Sequence, residues 1–149
     1  MKTILLAFFS LALTTGLQSQ VLVGKPASSL AKKLAHYHPV LQSSSDSILI
    51  YDLKYSNADN QGIITATFYL TKTGKVRTQK ISSDCRKCFR AYLNSILEQS
   101  KYKWKQVNGN QYVSKFSKRL LLETDPEFNP TFFMVGTTWT KNSYKLLFD

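Results

Sequence analysis

The chain has 149 residues, 43% of them hydrophobic, which suits one globular domain of ordinary size and excludes the need for a second core. Its 20 Lys and Arg residues against 9 Asp and Glu residues give a net charge of +11. Such an imbalance is informative about binding partners rather than about the fold. The sequence contains no internal repeat and no low-complexity linker.

The first 19 residues have the layout of a secretory signal peptide. Lys2 is followed by an apolar run over residues 4–13 and then by small and polar residues up to Ser19. The run of about ten residues is shorter than the roughly 20 that a membrane-spanning helix needs. We therefore predict cleavage after Ser19, with a cut after Gly16 as the alternative. The mature domain, residues 20–149, is then periplasmic or secreted, and it keeps a net charge of +10 because it loses only Lys2 from the charged residues.

The first half of the predicted domain combines short helical and extended patterns. A short helix is predicted around Leu30 and Leu34, ended by Pro39, with a serine-rich loop at residues 43–45 and a strand over residues 47–55. Residues 62–71 alternate apolar and polar side chains, as a half-buried strand does. Gly74 lies in a tight turn that leads to a second strand over residues 76–82, so this part predicts a β-hairpin.

The clearest helical pattern follows this hairpin. Asp84 is placed to cap the first turn, because its carboxylate can accept hydrogen bonds from free backbone amides. The helix is predicted to end near Ser100. Apolar side chains recur at the spacing of an amphipathic helix, at Cys85, Cys88, Phe89, Tyr92, Leu93, Ile96 and Leu97.

The rest of the chain is predicted to be mainly extended. Residues 102–107 favour a strand, Asn108 and Gly109 form a hairpin signal, and residues 111–123 favour one long strand. A further hairpin is predicted around residues 141–143. The predicted fold class is α+β, an antiparallel sheet with one principal amphipathic helix on one face, in the order β-β-α-β-β with extra strands at the ends.

The stretch over residues 63–123 resembles the carboxy-terminal domain of TonB, the periplasmic module of bacterial energy transducers. The resemblance consists of an ordered set of features: an alternating strand, the turn Thr73-Gly74-Lys75-Val76, a capped helix, Lys103-Trp104-Lys105, the turn Asn108-Gly109, and a closing strand with Leu120-Leu121-Leu122. Two positions differ from the family pattern, since Gln79 replaces an inward aliphatic residue and Gln106 replaces a proline. We also expect neither the transmembrane helix nor the proline-rich spacer that force transmission requires.

The resemblance implies a binding function without catalysis. In the family, a short peptide of an outer-membrane receptor adds as a strand to a sheet edge, where backbone groups give affinity and alternate side chains give selectivity. The candidate edge here is residues 111–119, with Tyr112, Lys115 and Lys118 available to the incoming peptide and Trp104 singled out among the aromatic residues. The alternative is that this strand is fully paired within its own sheet, with its lysines only preventing aggregation.

A second hypothesis concerns the basic stretch over residues 72–119. It contains 13 Lys or Arg residues against only Asp84 and Glu98, and export would direct it to an anionic envelope polymer or a lipid, with nucleic acid an unlikely partner. The alternative is that these side chains form a solvated surface and nothing more.

Cys85 and Cys88 suggest a third hypothesis, because a C-x-x-C pair at a helix N-terminus can support thiol-disulfide exchange. The preceding hairpin is not the βαβ unit of such enzymes, so a local structural disulfide in an oxidising compartment is favoured over buried thiols or redox function. His36 and His38 lack the spacing of a zinc site. We therefore expect no catalytic residues, no metal site and no cofactor.

Overall fold

The computed structural model describes residues 19–125 and 130–148, so the predicted signal peptide, apart from Ser19, lies outside the described residues. Two 3-10 turns, Ala27–Ser29 and Ala35–Tyr37, flank the first helix. The helices are α1 (Leu30–Leu34), α2 (Arg86–Leu97) and α3 (Lys141–Lys145). The strands are β1 (Val40–Ser44), β2 (Ile48–Ser56), β3 (Gln61–Leu70), β4 (Val76–Ser82), β5 (Lys105–Asn108), β6 (Gln111–Val113), β7 (Leu120–Asp125) and β8 (Thr131–Gly136).

The strands form one antiparallel sheet in the order β1-β2-β3-β4-β8-β7-β6-β5. The predicted antiparallel α+β architecture is therefore present. Sequence neighbours are paired except at the centre, where β4 pairs with β8 in the register Ile81↔Phe132. This pairing joins the strands before α2 to the strands after it, so the described chain forms one continuous sheet.

Helix α2 covers one face of this sheet. Its fully buried side chains Phe89, Tyr92 and Ile96 pack in one core with inward side chains of β3 and β8, among them Phe68 and Phe132. The Phe89 and Phe132 ring centroids lie 5.8 Å apart. Aromatic burial on this scale is a large hydrophobic contribution to stability, which explains why the 3.6-residue pattern predicted the helix.

The prediction of one strand over residues 111–123 is wrong, because β6 ends at Val113 and β7 begins at Leu120. The intervening loop is closed by Ser114, whose main-chain N–H donates to the Leu120 carbonyl (3.0 Å) and whose hydroxyl accepts the Leu120 N–H (2.9 Å). Arg119 reaches φ +49° in this loop. No glycine or proline marks the break, so the sequence gives little warning of it.

The prediction of a hairpin around residues 141–143 is also wrong. These residues begin α3, because the Thr140 hydroxyl accepts the Ser143 N–H (3.2 Å) and caps the helix. The aromatic residues around α3 form a second cluster, in which the Tyr144 ring lies 5.5 Å from that of Phe116 and 5.1 Å from that of Phe148. The Tyr144 hydroxyl donates to the Ser114 carbonyl (2.7 Å) and so attaches the C-terminal segment to the loop before β7.

The start of α2 differs from the prediction by one residue. Cys85, not Asp84, occupies the N-cap position, and its sulfur accepts the Cys88 N–H at 3.1 Å. Asp84 is exposed, and the helix ends at Leu97, three residues before the predicted end. Cys85 and Cys88 form the predicted disulfide.

The segment before α1 is held against the core by buried amide side chains. Gln79, at 0% exposure, accepts the Leu22 N–H through Oε1 (2.8 Å) and donates to the Gln20 carbonyl through Nε2 (3.0 Å). Gln99 donates to the Ser19 carbonyl (2.6 Å), and Ser19 itself is 1% exposed. The Gln79 carboxamide therefore serves as a backbone-like partner for this segment. Within residues 19–125 and 130–148, no helix combines the length and the apolar character needed to cross a membrane.

Candidate binding surfaces

The sheet has two edge strands, β1 and β5, and they differ in how open they are to another strand. β5 has four residues and begins with Lys105. Lys103 and Trp104 directly precede it. A short edge with lysines is a common protection against strand pairing with other molecules. The side of β5 that faces away from β6 is therefore the less favourable edge for strand addition.

β1 has the opposite character. All five of its residues are exposed, none is charged, and Val40 and Leu41 are 52% and 51% exposed. Among the strands of residues 19–125 and 130–148, β1 pairs with β2 alone, through Val40↔Asp52 to Ser44↔Leu49, with an irregularity between Leu41 and Ser43. The other side of this strand offers backbone donors and acceptors beside two exposed aliphatic side chains.

The sequence-predicted edge over residues 111–119 is not an edge. β6 lies between β5 and β7, with Gln106↔Tyr112 on one side and Tyr112↔Leu122 on the other. The Tyr112 side chain is half-buried and packs against the main core. Both flanks of β6 are therefore used within the sheet.

Trp104 is also half-buried against the core. Its indole Nε1 donates to the Ile96 carbonyl at 3.1 Å, and its ring lies 5.6 Å from that of Tyr102. The carbonyl it binds lies in the last turn of α2, where the regular helical donors run out, and it also accepts the Gln99 N–H at 3.2 Å. The contacts of Trp104 therefore secure the end of α2 to the segment before β5.

Lys115 and Lys118 lie in the loop between β6 and β7. The Lys115 N–H donates to the Tyr102 carbonyl (2.7 Å), and the Lys118 N–H donates to the Lys115 carbonyl (2.9 Å). This arrangement places Lys118 at a cleft of about 410 Å³ that also contains Lys25, Lys33 and Lys101. We call this cleft, with those four lysines, the lysine cleft. The sequence prediction found only Lys118 of the four, because they come from four separate segments.

The disulfide lies between the core and a surface cavity. Cys88 is fully buried and Cys85 is half-buried, and Cys85 borders a cavity of about 370 Å³ together with Ser83 and Asp84. Gly62 lies so close that a Cβ atom there would approach the Cys88 sulfur to 2.7 Å. The disulfide is thus packed into the structure on the β3 side.

Three tyrosines are buried beneath the N-terminal segment. The Tyr92 ring lies 6.0 Å from that of Tyr37 and 6.1 Å from that of Tyr55. Burial raises the pKa of Tyr37 to about 12, and burial, with Tyr37 nearby, also raises the pKa of Tyr92. Burial disfavours the phenolate because its charge loses hydration. The Tyr37 and Tyr92 phenols therefore stay protonated over the physiological range and act as core side chains.

Across residues 19–125 and 130–148, no three His, Cys, Asp or Glu side chains come together as a metal-ion site would require. Comparison of the chain with protein-family models, with curated proteins and with solved structures finds no match in any of the three.

Proposed function

We propose that this protein is an exported, non-catalytic binding module of the bacterial envelope, which takes an extended peptide segment of another envelope protein as an added strand. The binding mode is the one that the resemblance to the TonB carboxy-terminal domain suggests. The signal-peptide layout of residues 1–19 supports export. The observation that best supports the proposal is that β1 is an exposed, uncharged strand at the edge of the sheet.

β1 supplies what strand addition requires. Its free side exposes backbone groups for pairing, which give affinity independent of the peptide sequence. Val40 and Leu41, each about half exposed, give apolar surface that a partner would remove from water at roughly 25 cal/mol per Å². The strand contains no lysine or proline that would oppose pairing. We therefore propose that the binding edge is β1 and not residues 111–119.

The first experiment compares two variants of equal charge in capture from an envelope extract. Leu41→Lys puts a charge on the free edge, whereas Leu146→Lys puts the same charge at a residue that is 76% exposed and lies after α3. Both positions are exposed, so both variants should fold. The proposal predicts that a partner protein captured by the wild type is lost with Leu41→Lys and kept with Leu146→Lys. Equal capture by wild type and Leu41→Lys would contradict the proposal.

A further inference from the structure

The lysine cleft is formed by four segments that are distant in sequence. Lys25 precedes the first 3-10 turn, Lys33 belongs to α1, Lys101 follows α2, and Lys118 lies in the loop before β7. The main chain fixes each end of the cleft: the Val76 N–H donates to the Lys25 carbonyl (2.9 Å), and the Lys115 N–H donates to the Tyr102 carbonyl (2.7 Å). The lysines are therefore brought together by the fold, not by their order in the sequence.

The charges in the cleft are not neutralised there. No Asp or Glu lines it, and within the part of the chain that the structure describes none of its four lysines forms an ion pair with a carboxylate. Glu98 lines a neighbouring cavity, to which Gln99 and Lys101 also belong. The Lys101 ammonium lies 5.0 Å from the centre of the Tyr102 ring, a cation-π contact that holds it at the cleft. Like charges in a concave site with protein walls focus a positive potential toward an anion.

That the cations in the cleft are lysines indicates which kind of anion the cleft would bind. The chain has arginines, but none of them lines the cleft. Arginine suits planar carboxylates because its guanidinium group binds two oxygens at once, whereas a lysine ammonium acts as a compact point charge. Four lysines from separate segments suit a tetrahedral oxyanion, which presents oxygens on all sides.

The size and lining of the cleft indicate a ligand that is larger than a free inorganic ion. Its volume of about 410 Å³ falls within the range of small-molecule sites, about 300 to 1,000 Å³. Residues 19–22, Gln99 and Tyr102 complete its lining. Together with this volume, they leave room for a small organic group beside the anion.

We propose that the lysine cleft binds a phosphate ester that carries a small polyhydroxy group, such as glycerol or a sugar. The same chemistry occurs in a soluble envelope polymer of phosphodiester units and in a phospholipid headgroup. No residue of β1 lines the cleft, so this site goes beyond the strand-addition function and does not depend on it.

Calorimetric titration of the purified protein with glycerol 3-phosphate, at low and at moderate salt, tests the site. The cleft variant is Lys33→Gln/Lys101→Gln/Lys118→Gln. The control, Lys72→Gln/Lys87→Gln/Lys141→Gln, removes the same charge from exposed lysines elsewhere. We expect the cleft variant to bind about tenfold more weakly or worse and the control to stay within about twofold, because only the cleft lysines contact the phosphate.

Chemical shifts of the lysine Nζ groups in the wild type give a second measurement that needs no variant. Selective perturbation of cleft lysines supports the site. Equal weakening in both variants, or no binding of glycerol 3-phosphate, overturns it, whatever β1 binds. Vesicles containing phosphatidylglycerol distinguish the sources: binding to vesicles that the cleft variant loses identifies a headgroup site, and binding of the soluble ester alone identifies a polymer or free ester.

Discussion

Gln79 is a single residue whose role follows from its two hydrogen bonds. Its buried carboxamide pairs with the Leu22 N–H and the Gln20 carbonyl, much as a neighbouring strand would. Gln79→Leu keeps the size of the side chain but removes the partner of the buried Leu22 N–H and of the part-buried Gln20 carbonyl. We expect the free energy of unfolding to fall by about 2 to 3 kcal/mol, measured by urea denaturation.

The matched control for this variant is Gln61→Leu, at an exposed residue of β3. This change should stay within about 0.5 kcal/mol, as surface substitutions usually do. Hydrogen exchange of the Leu22 amide should accelerate in Gln79→Leu alone. An unchanged Leu22 amide would show that Gln79 does not hold the N-terminal segment.

Also at the scale of single residues, the buried phenols should make the free energy of unfolding depend on pH. Tyr37 has its pKa raised from 10.0 to about 12 by burial, and the pKa of Tyr92 is raised too. Between pH 10 and 12 the unfolded chain releases these protons while the folded chain keeps them, so the free energy of unfolding falls as the pH rises. The slope is at most about 1.4 kcal/mol per pH unit for each phenol. Below pH 10 this stability is fully present.

Urea denaturation at pH 8, 10 and 11 measures this slope. Tyr37→Phe removes one titrating phenol and should flatten it, whereas Tyr69→Phe, at a half-buried residue on the other face of the sheet, should not. Equal slopes for the wild type and both variants would show that the buried phenols do not control stability at high pH.

At the scale of elements, β3 and α2 meet at Gly62. A Cβ there would lie 2.7 Å from the Cys88 sulfur and 2.9 Å from the Cys85 Cβ, whereas nothing lies within 4 Å of a Cβ built at Gly109. Gly62→Ala should therefore cost about 1 to 3 kcal/mol through overpacking, and Gly109→Ala should cost far less. Urea midpoints measure both changes.

A double-mutant cycle sharpens this test. In a Cys85→Ala/Cys88→Ala background, Gly62→Ala should cost less, because the sulfur it meets has been removed. The cysteine changes alone should cost about 2 kcal/mol, since the disulfide closes a very small loop. An undiminished cost of Gly62→Ala in that background would place the clash elsewhere.

Local sequence patterns predict a strand or helix correctly where buried and exposed side chains alternate regularly along the chain. The prediction of β4 over residues 76–82 is confirmed to the residue, and β3 differs from its prediction by one residue at each end, because inward Ile64, Ala66 and Phe68 mark one face. β6 and β7 were predicted as one strand because their break is made by Ser114 hydrogen bonds. α3 was predicted as a turn because one Thr140 cap decides it.

The candidate sites depend on longer-range organisation. β1 was partly predicted as a serine loop, and its position at the edge follows from the order of the whole sheet, which the β4-β8 pairing sets. The lysine cleft likewise needs four distant segments to meet. Neither arrangement leaves a periodic signal in the sequence, which is why the sequence pointed to residues 111–119 instead.

At the scale of the whole molecule, the burial of Ser19 bears on the proposed export, because it concerns where a mature chain would begin. Ser19 is 1% exposed, its carbonyl accepts from Gln99, and its hydroxyl contacts that of Ser95. A cut after Ser19 would remove these contacts and place a new ammonium group at Gln20, which borders the lysine cleft. We therefore expect the alternative cut after Gly16. Intact-mass analysis of the exported protein should find Leu17 first, and a mature chain beginning at Gln20 would contradict this expectation.

Strand addition at β1 is the central claim, and site-specific photo-crosslinking in the envelope of living cells tests it most directly. A photoreactive amino acid replaces Gln42, in the middle of β1, or Asn142, an exposed residue of α3. The account predicts a protein adduct from position 42, mapped to one extended segment of the partner, and little or none from position 142. No adduct at position 42, or equal adducts at both positions, would contradict it.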